Sequence, residues 1–204
     1  MVMKIKEYLK QNFFINAYLK RRHIVSWEKN NYPVPAPHAI KQLSILYHAL
    51  VYKINVLVET GTYLGDMVWA QKDYFQKIYS IELSEELFQK AKRRFRNKGN
   101  VELIQGDSSE KISEILSKIM SPVLFWLDGH YSGGITAKGA KVCPIYGELE
   151  HVFKSSYSHV ILIDDARLFT GNDDYPTLNE LSGFVSDNST YKMKVENDII
   201  ILSN

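Results

Sequence analysis

Five short apolar runs recur along this chain, each followed by a stretch of different character. They are Asn55–Glu59 (N-V-L-V-E), Lys77–Leu83 (K-I-Y-S-I-E-L), Val101–Ile104, Pro122–Leu127 (P-V-L-F-W-L) and His159–Ile163 (H-V-I-L-I). Apolar runs of this length suit strands buried on both faces. The segments Gly65–Phe75, Ser84–Arg96, Ser108–Met120 and about Glu148–Ser155 read as helices between them. Ser84 caps its helix, with Glu85 and Glu86 well placed in the first turn. Such alternation specifies an α/β fold with a mostly parallel sheet covered on both sides. The end of the chain departs from it. After a helix at Leu178–Val185, two strands, Tyr191–Val195 and Ile199–Leu202, are separated only by E-N-D. That is a hairpin-length connection, so the seventh and last strand is expected to run antiparallel.

Ahead of the first strand, residues 4–20 carry apolar positions at roughly helical spacing, followed by a basic cluster, Lys20–His23. Pro33, Pro35 and Pro37 make the next stretch a stiff, extended connector. A helix from His38 to about Lys53 then places Ile40, Leu43, Tyr47, Leu50 and Val51 on one face. The expected organisation is an N-terminal helix and connector over 1–37 and a single domain over 38–204. The first segment is expected to pack over the ligand edge or against a second copy in a homodimer. Net charge is +2, so no bulk field points to nucleic acid or membrane. No apolar run reaches the ~18 residues of a membrane span, and the N-terminus lacks the pattern of a signal peptide. The lone Cys143 cannot form an internal disulfide. These features suggest a cytoplasmic protein.

In open α/β sheets, ligands bind beyond the carboxyl ends of the strands. The first strand ends in V-E-T-G-T-Y-L-G-D, where Gly61 permits a turn and Gly65 a close approach. The spacing is G-x-x-x-G, not the G-x-G-x-x-G of dinucleotide enzymes. Glu59 would repel phosphate but suit an ammonium. Glu82 ends the second strand, where a carboxylate can accept from both hydroxyls of a ribose. Asp107 and Ser108 follow the third, within reach of an adenine edge, although Asp107 is also placed to cap the helix after it. Asp128 follows the fourth. Four consecutive strand ends carry a carboxylate.

The strings V-E-T-G-T-Y-L-G-D, Y-S-I-E-L-S, I-Q-G-D-S and W-L-D-G-H resemble the successive motifs of class I S-adenosylmethionine-dependent methyltransferases. The resemblance covers about residues 38–204. It implies a Rossmann-like α/β fold, in which the antiparallel C-terminal hairpin strand distinguishes this architecture from ordinary nucleotide-binding domains. It implies that Glu59, Gly61 and Gly65 line the methionine end, Glu82 the ribose and Asp107 the adenine. Thr60, Tyr63, Asp66, Leu83, Ser108 and Asp128 complete the expected cofactor-binding set. Tyr63 stands where many members carry a second glycine, so either the turn runs wider or the tyrosine covers the cofactor.

Methyl transfer needs an aligned nucleophile and a place for its proton. Asp128, Asp164 and Asp165 fall at two adjacent strand ends and could together bind one hard divalent cation, such as Mg2+, through oxygen. This resembles the magnesium-dependent O-methyltransferases of the catechol and macrolide-sugar type. His130, two residues past Asp128, has the ordinary pKa of a general base; Asp128 and His130 are the catalytic candidates. Gly129–Gly139 has the composition of a lid, and Lys138, Lys141 and Arg167 could meet an anionic, sugar-like acceptor. His38 and Lys41 could reach the site from the helix after the connector; His48, His151 and His159 read as structural. The favoured reading is methylation of oxygen on a small polar acceptor. The alternatives are a non-catalytic cofactor-binding module and an NAD-dependent oxidoreductase, the latter disfavoured by glycine spacing and hairpin. D-G-H-Y does not match the N/D-P-P-Y-type motif common in N-methyltransferases. Nucleic-acid methylation lacks support, since the basic cluster Lys20–His23 is short and the net charge is only +2.

Overall fold

This computed structural model describes residues 16–129 and 143–204, with side chains from Arg21 onward. His130, Lys138, Lys141 and nearly all of the expected lid lie outside the described residues, as does most of the helix expected over 4–20.

Seven strands form one sheet: β1 (Val56–Thr60), β2 (Lys77–Glu82), β3 (Val101–Gln105), β4 (Leu124–Leu127), β5 (Val160–Ile163), β6 (Lys192–Glu196) and β7 (Ile199–Ser203). Their spatial order is β3-β2-β1-β4-β5-β7-β6. The first five are parallel, and β7 runs antiparallel between β5 and β6. The sequence-based expectation of seven strands with a reversed terminal hairpin strand therefore holds.

Helices α1 (Asn16–Lys29), α2 (His38–Val51), α3 (Asp66–Gln71), α4 (Glu85–Phe95), α5 (Ser108–Leu116), α6 (Ile145–Phe153) and α7 (Leu178–Asn188) accompany the sheet. Strand residues alternate between its two faces, as the pleat requires. Val58, Phe125, Ile161, Ile163, Ile200 and Leu202 pack toward Ile112, Leu149 and Leu181 of α5, α6 and α7. Leu57, Leu124, Trp126, Leu162, Ile199 and Ile201 pack toward Ile45, Met67 and Ala91 of α2, α3 and α4. Burial on both sides explains why these strands read as continuous apolar runs.

Several boundaries differ from expectation. The basic cluster Lys20–His23 lies inside α1, not beyond the helix. Helix α3 stops at Gln71 and starts from Gly65, whose backbone is left-handed (φ 78°). Helix α5 ends at Leu116 rather than Met120. Helix α2 does not bury a single stripe. Ile40 and Leu43 meet Ile24 and Trp27 of α1, while Ile45, Leu46 and Ala49 face the sheet. Leu50 and Val51, expected on the apolar face, are exposed, while His48 and Ala49 of the same turn are buried. A short 3-10 turn, Ala166–Leu168, follows β5 and had no sequence signal.

Candidate functional site

The carboxyl ends of the parallel strands carry the acids expected there. Gly61 follows β1 with φ 79°, and its amide donates to the Ile81 carbonyl (3.0 Å), carrying the β1–β2 ladder into the turn. A Cβ here would lie 2.3 Å from the Asp128 carbonyl oxygen, so only glycine lets the turn pass under the end of β4. Tyr63 does not widen the turn. It adopts the left-handed conformation itself (φ 50°), and its amide donates to Glu82 Oε2 (2.7 Å). At Gly65 the close neighbour is the Phe95 ring of α4, 2.6 Å from a would-be Cβ, rather than the helix Gly65 begins.

Glu82 is buried, and both of its oxygens are already engaged. Oε2 accepts from Tyr63 N, and Oε1 accepts from Ser84 N (2.9 Å). Burial pushes its carboxyl pKa up, against the pull of these backbone N–H groups. Each oxygen keeps a second lone pair, so a diol could still bind to an acceptor fixed by the loop. Asp107 takes up its capping role: Oδ1 accepts from Ser109 N (2.9 Å) and Ser109 Oγ (2.6 Å). Ser108 is buried as the first residue of α5, and the Leu83 carbonyl accepts from Gln105 Nε2 (3.0 Å).

Glu59 differs from the expectation of a group facing a ligand's ammonium. It is 2% exposed, and its Oε2 accepts from Ser80 Oγ (2.5 Å), which in turn shares a hydrogen bond with Thr62 Oγ1 (2.6 Å). Burial, offset by Ser80 and reinforced by the Asp128 and Glu82 charges, pushes its pKa to about 8. Thr60 is fully buried, and its Oγ1 accepts from Asp128 N (3.2 Å), joining β1 to the end of β4. Asp66 is mostly exposed and pairs with Arg94 (2.7 Å), away from the other acids.

Beyond β4 and β5 the three expected aspartates do converge. One oxygen from each of Asp128, Asp164 and Asp165 can be chosen so that all lie within 4.8 Å of one another. Asp164 and Asp165 are not left to repel, however. Lys41, from α2, places its Nζ 2.6 Å from Asp164 Oδ2 and 2.8 Å from Asp165 Oδ1. Arg167 donates to the same Asp165 oxygen (2.7 Å) and pairs with Asp198 from the β6–β7 turn. Arg167 is thus held within the corner, where sequence reasoning offered it to an anionic substrate. Burial lowers the Lys41 pKa, but the Asp164 and Asp165 carboxylates outweigh this and raise it overall. Burial pushes Asp164 up, with Asp128 and Asp165 adding to the shift and Lys41 opposing it.

Asp198 and Glu148 were missed by sequence reasoning. Asp198 is nearly buried and clamps the loop after β5: its carbonyl accepts from Ala166 N (2.9 Å) and its Oδ1 from Arg167 N (2.8 Å). Glu148 of α6 is 1% exposed, with Oε1 3.1 Å from a Cβ built on Gly129. A narrow cleft behind Asp164 runs between this carboxylate and the edge-to-face pair Phe169–Tyr175 (5.3 Å). Cys143 lines it as well; burial pushes its thiol up to about 11, so it is not a nucleophile.

No protein-family model matches the sequence, and no curated protein matches it. Solved structures do resemble the fold. The SAH-bound methyltransferase PaMTH1 of Podospora anserina aligns with a TM-score of 0.57 at 16% identity, covering 99% of this chain and 94% of that one. An O-methyltransferase from Bacillus cereus, in complex with SAH, aligns at 0.57 and 13% identity over 98% and 97%. A putative rRNA-methylase from Clostridium thermocellum aligns at 0.51 and 11% identity over 72% and 86%. At these identities the likeness is one of fold. The chain has the Rossmann-like architecture of class I S-adenosylmethionine-dependent methyltransferases.

Proposed function

We propose that this protein is an S-adenosylmethionine-dependent methyltransferase acting on an oxygen of a small, polar, sugar-like acceptor. One observation carries the reading. Along the carboxyl ends of β1 to β4, Gly61 lets the turn after β1 pack tightly under the end of β4, with the preorganised Glu82 carboxylate beside it. That pairing suits an adenosyl group with a free diol. It does not suit a pyrophosphate, which Glu82 and Asp128 would oppose electrostatically. Bound adenosylmethionine supplies an activated methyl on a sulfonium, so the protein needs only to align the acceptor and accept its proton.

The chain's own residues then divide the work. Glu82 holds the ribose, the second Asp107 oxygen and Ser108 serve the adenine edge, and Thr60 with Gly61 shapes the methionine end. Asp128 holds the acceptor hydroxyl, whose oxygen attacks the methyl carbon as the sulfur–carbon bond breaks. His130, two residues further on, takes the proton.

A divalent cation is the other group the resemblance implies. The three aspartates have oxygen-donor chemistry appropriate to it. Their arrangement does not fit it: the Lys41 ammonium already contacts two of the three. No step is routed through a metal.

Calorimetry should show adenosylhomocysteine binding and no measurable NAD binding. Labelled adenosylmethionine offered with small sugars, nucleotide sugars, phenols and RNA should mark a small hydroxylated acceptor. NAD binding without adenosylhomocysteine binding would overturn the reading. Transfer to RNA would keep the reaction class and reject the acceptor. His130→Ala should reduce turnover by about 10²–10⁴-fold with little effect on binding.

A further inference from the structure

The acidic corner beyond β4 and β5 already has a cation, supplied by a helix outside the run of alternating strands. Lys41 lies on α2, between the buried residues Ile40 and Gln42. The Gln42 carbonyl accepts from the buried Gln71 side chain of α3 (3.0 Å), and Ile40 is fixed in the small core with α1. The stem of Lys41 therefore leaves a backbone held on two sides. Its side chain is 13% exposed, against 3% for Asp164 and 12% for Asp165. Solvent competes poorly for an ammonium so placed, and both of its described contacts are at ion-pair distance.

We infer that Lys41 is the resident cation of this corner, occupying with its ammonium the place a divalent metal would take between Asp164 and Asp165. An ammonium has three donors, and carboxylate oxygens on separate residues accept two of them here. A divalent ion drawn to those oxygens at about 2.0–2.6 Å, depending on the metal, would sit within a few ångströms of the ammonium, and the two positive charges would repel in this buried corner. Lys41 pins one oxygen each of Asp164 and Asp165 beside Asp128. Among the described residues the corner holds four carboxylates, Asp128, Asp164, Asp165 and Asp198, to two cations, Lys41 and Arg167. Removing the lysine charge leaves more negative charge at the same convergence and should convert it into a metal site.

The binding part of this inference stands on geometry; its consequence, methyl transfer without a divalent metal, rests on the proposed function. The test is Mn2+ titration of metal-stripped protein, followed by electron paramagnetic resonance. Wild type and Lys41→Arg should leave Mn2+ unbound at micromolar to low millimolar concentration. Lys41→Met should bind it at least about tenfold more tightly than wild type, and adding Asp164→Asn should remove the gain. Folding of Lys41→Met is checked by thermal melting; should it fail, wild type and Lys41→Arg still decide the matter. Tight Mn2+ binding by wild type that is lost in Asp164→Asn would overturn the inference, as would a folded Lys41→Met with no gain. Adenosylhomocysteine calorimetry on the same wild-type protein separates the two readings. Its failure would sink the methyltransferase proposal and leave the Mn2+ result untouched.

Discussion

The two edges of the sheet treat polar groups in opposite ways. At the amino edge, His159 accepts from Val123 N through Nδ1 (3.0 Å), and its own amide donates to Tyr191 Oη (2.8 Å). Asn100 there donates to the carbonyls of Lys72 and Phe75. These are neutral groups stitching strands to their neighbours. At the carboxyl edge, Glu59, Glu82, Asp164 and Asp165 are buried acids, and the turns use left-handed backbone at Gly61, Tyr63, Gly65 and Asp165. Closing the sheet does not require charge at either edge. The amino edge has a left-handed residue too, Lys53 (φ 55°), and the partly exposed Lys77–Glu102 pair; burying acids, as the carboxyl edge does, marks the edge where ligands are expected to bind.

The largest test of that contrast is steric. Gly61→Ala puts a Cβ against the Asp128 carbonyl in a left-handed turn and should cost about 3 kcal/mol or more in urea unfolding. Gly99→Ala, just before β3 at the amino edge, meets nothing within 4 Å and should stay within about 0.5 kcal/mol. Comparable losses at both would dissolve the contrast in backbone strain.

Next in size is ligand affinity. Glu82→Ala should weaken adenosylhomocysteine by about 1–3 kcal/mol in calorimetry. Asn100→Ala should lower the melting temperature while leaving that affinity alone. Unchanged affinity in the Glu82 variant would remove Glu82 from the ribose role.

The edges should also answer pH with opposite signs. Glu59 holds its proton to about pH 8 in the folded chain through burial, but loses it near 4.5 when unfolded. The unfolded state binds fewer protons in that window, so this group lowers stability as pH rises through it. Burial pushes His159 down to about 4 from 6.5, so it favours folding above that window, and its contribution fades as pH falls from 6.5 toward 4. Denaturant melts at stepped pH should show the loss between about pH 4.5 and 8 flattened in Glu59→Gln, by up to about 1 kcal/mol per pH unit, leaving the opposite His159 slope below pH 6.5 unopposed. An identical slope in the variant would place the titrating group elsewhere.

The smallest effect sharpens the contrast within the carboxyl edge. Asp66 is exposed and paired with Arg94 at the surface. Asp66→Ala should change stability by less than about 1 kcal/mol and leave adenosylhomocysteine affinity unaltered. Weakened binding would return Asp66 to the cofactor set that the sequence suggested.

What was legible in the sequence follows from periodicity and local chemistry. The apolar runs predicted the strands, because burial on both faces leaves no polar positions to interrupt them. Acids at the strand ends predicted which edge gathers the buried carboxylates. The aim of each side chain was not legible. Whether Glu59 faces a ligand or Ser80 depends on the neighbouring strand, and two adjacent residues of one strand point to opposite faces. Lys41 was expected to reach the site and Arg167 to meet an anionic acceptor; that both pair with Asp165 instead follows from the strand order, which brings α2 and the β6–β7 turn to the same corner. Asp198 carried only a turn signal, since nothing near it in sequence shows that β7 pairs with β5. The split faces of α2 were hidden because a helix between two layers blurs its own period.

The insertion of β7 between β5 and β6 has a consequence for how the chain is made. Until β7 arrives, β5 is the open edge of the growing sheet, and its V-I-L-I run is what such an edge should avoid: apolar, β-branched and uncharged. Some 40 residues separate the end of β5 from the end of β7. At ribosomal rates of about 5–20 residues per second, that is roughly 2–8 s of exposure on each nascent chain. Variants that slow docking of the last hairpin should therefore show first as lost soluble yield, before any loss in the stability of molecules that finish folding.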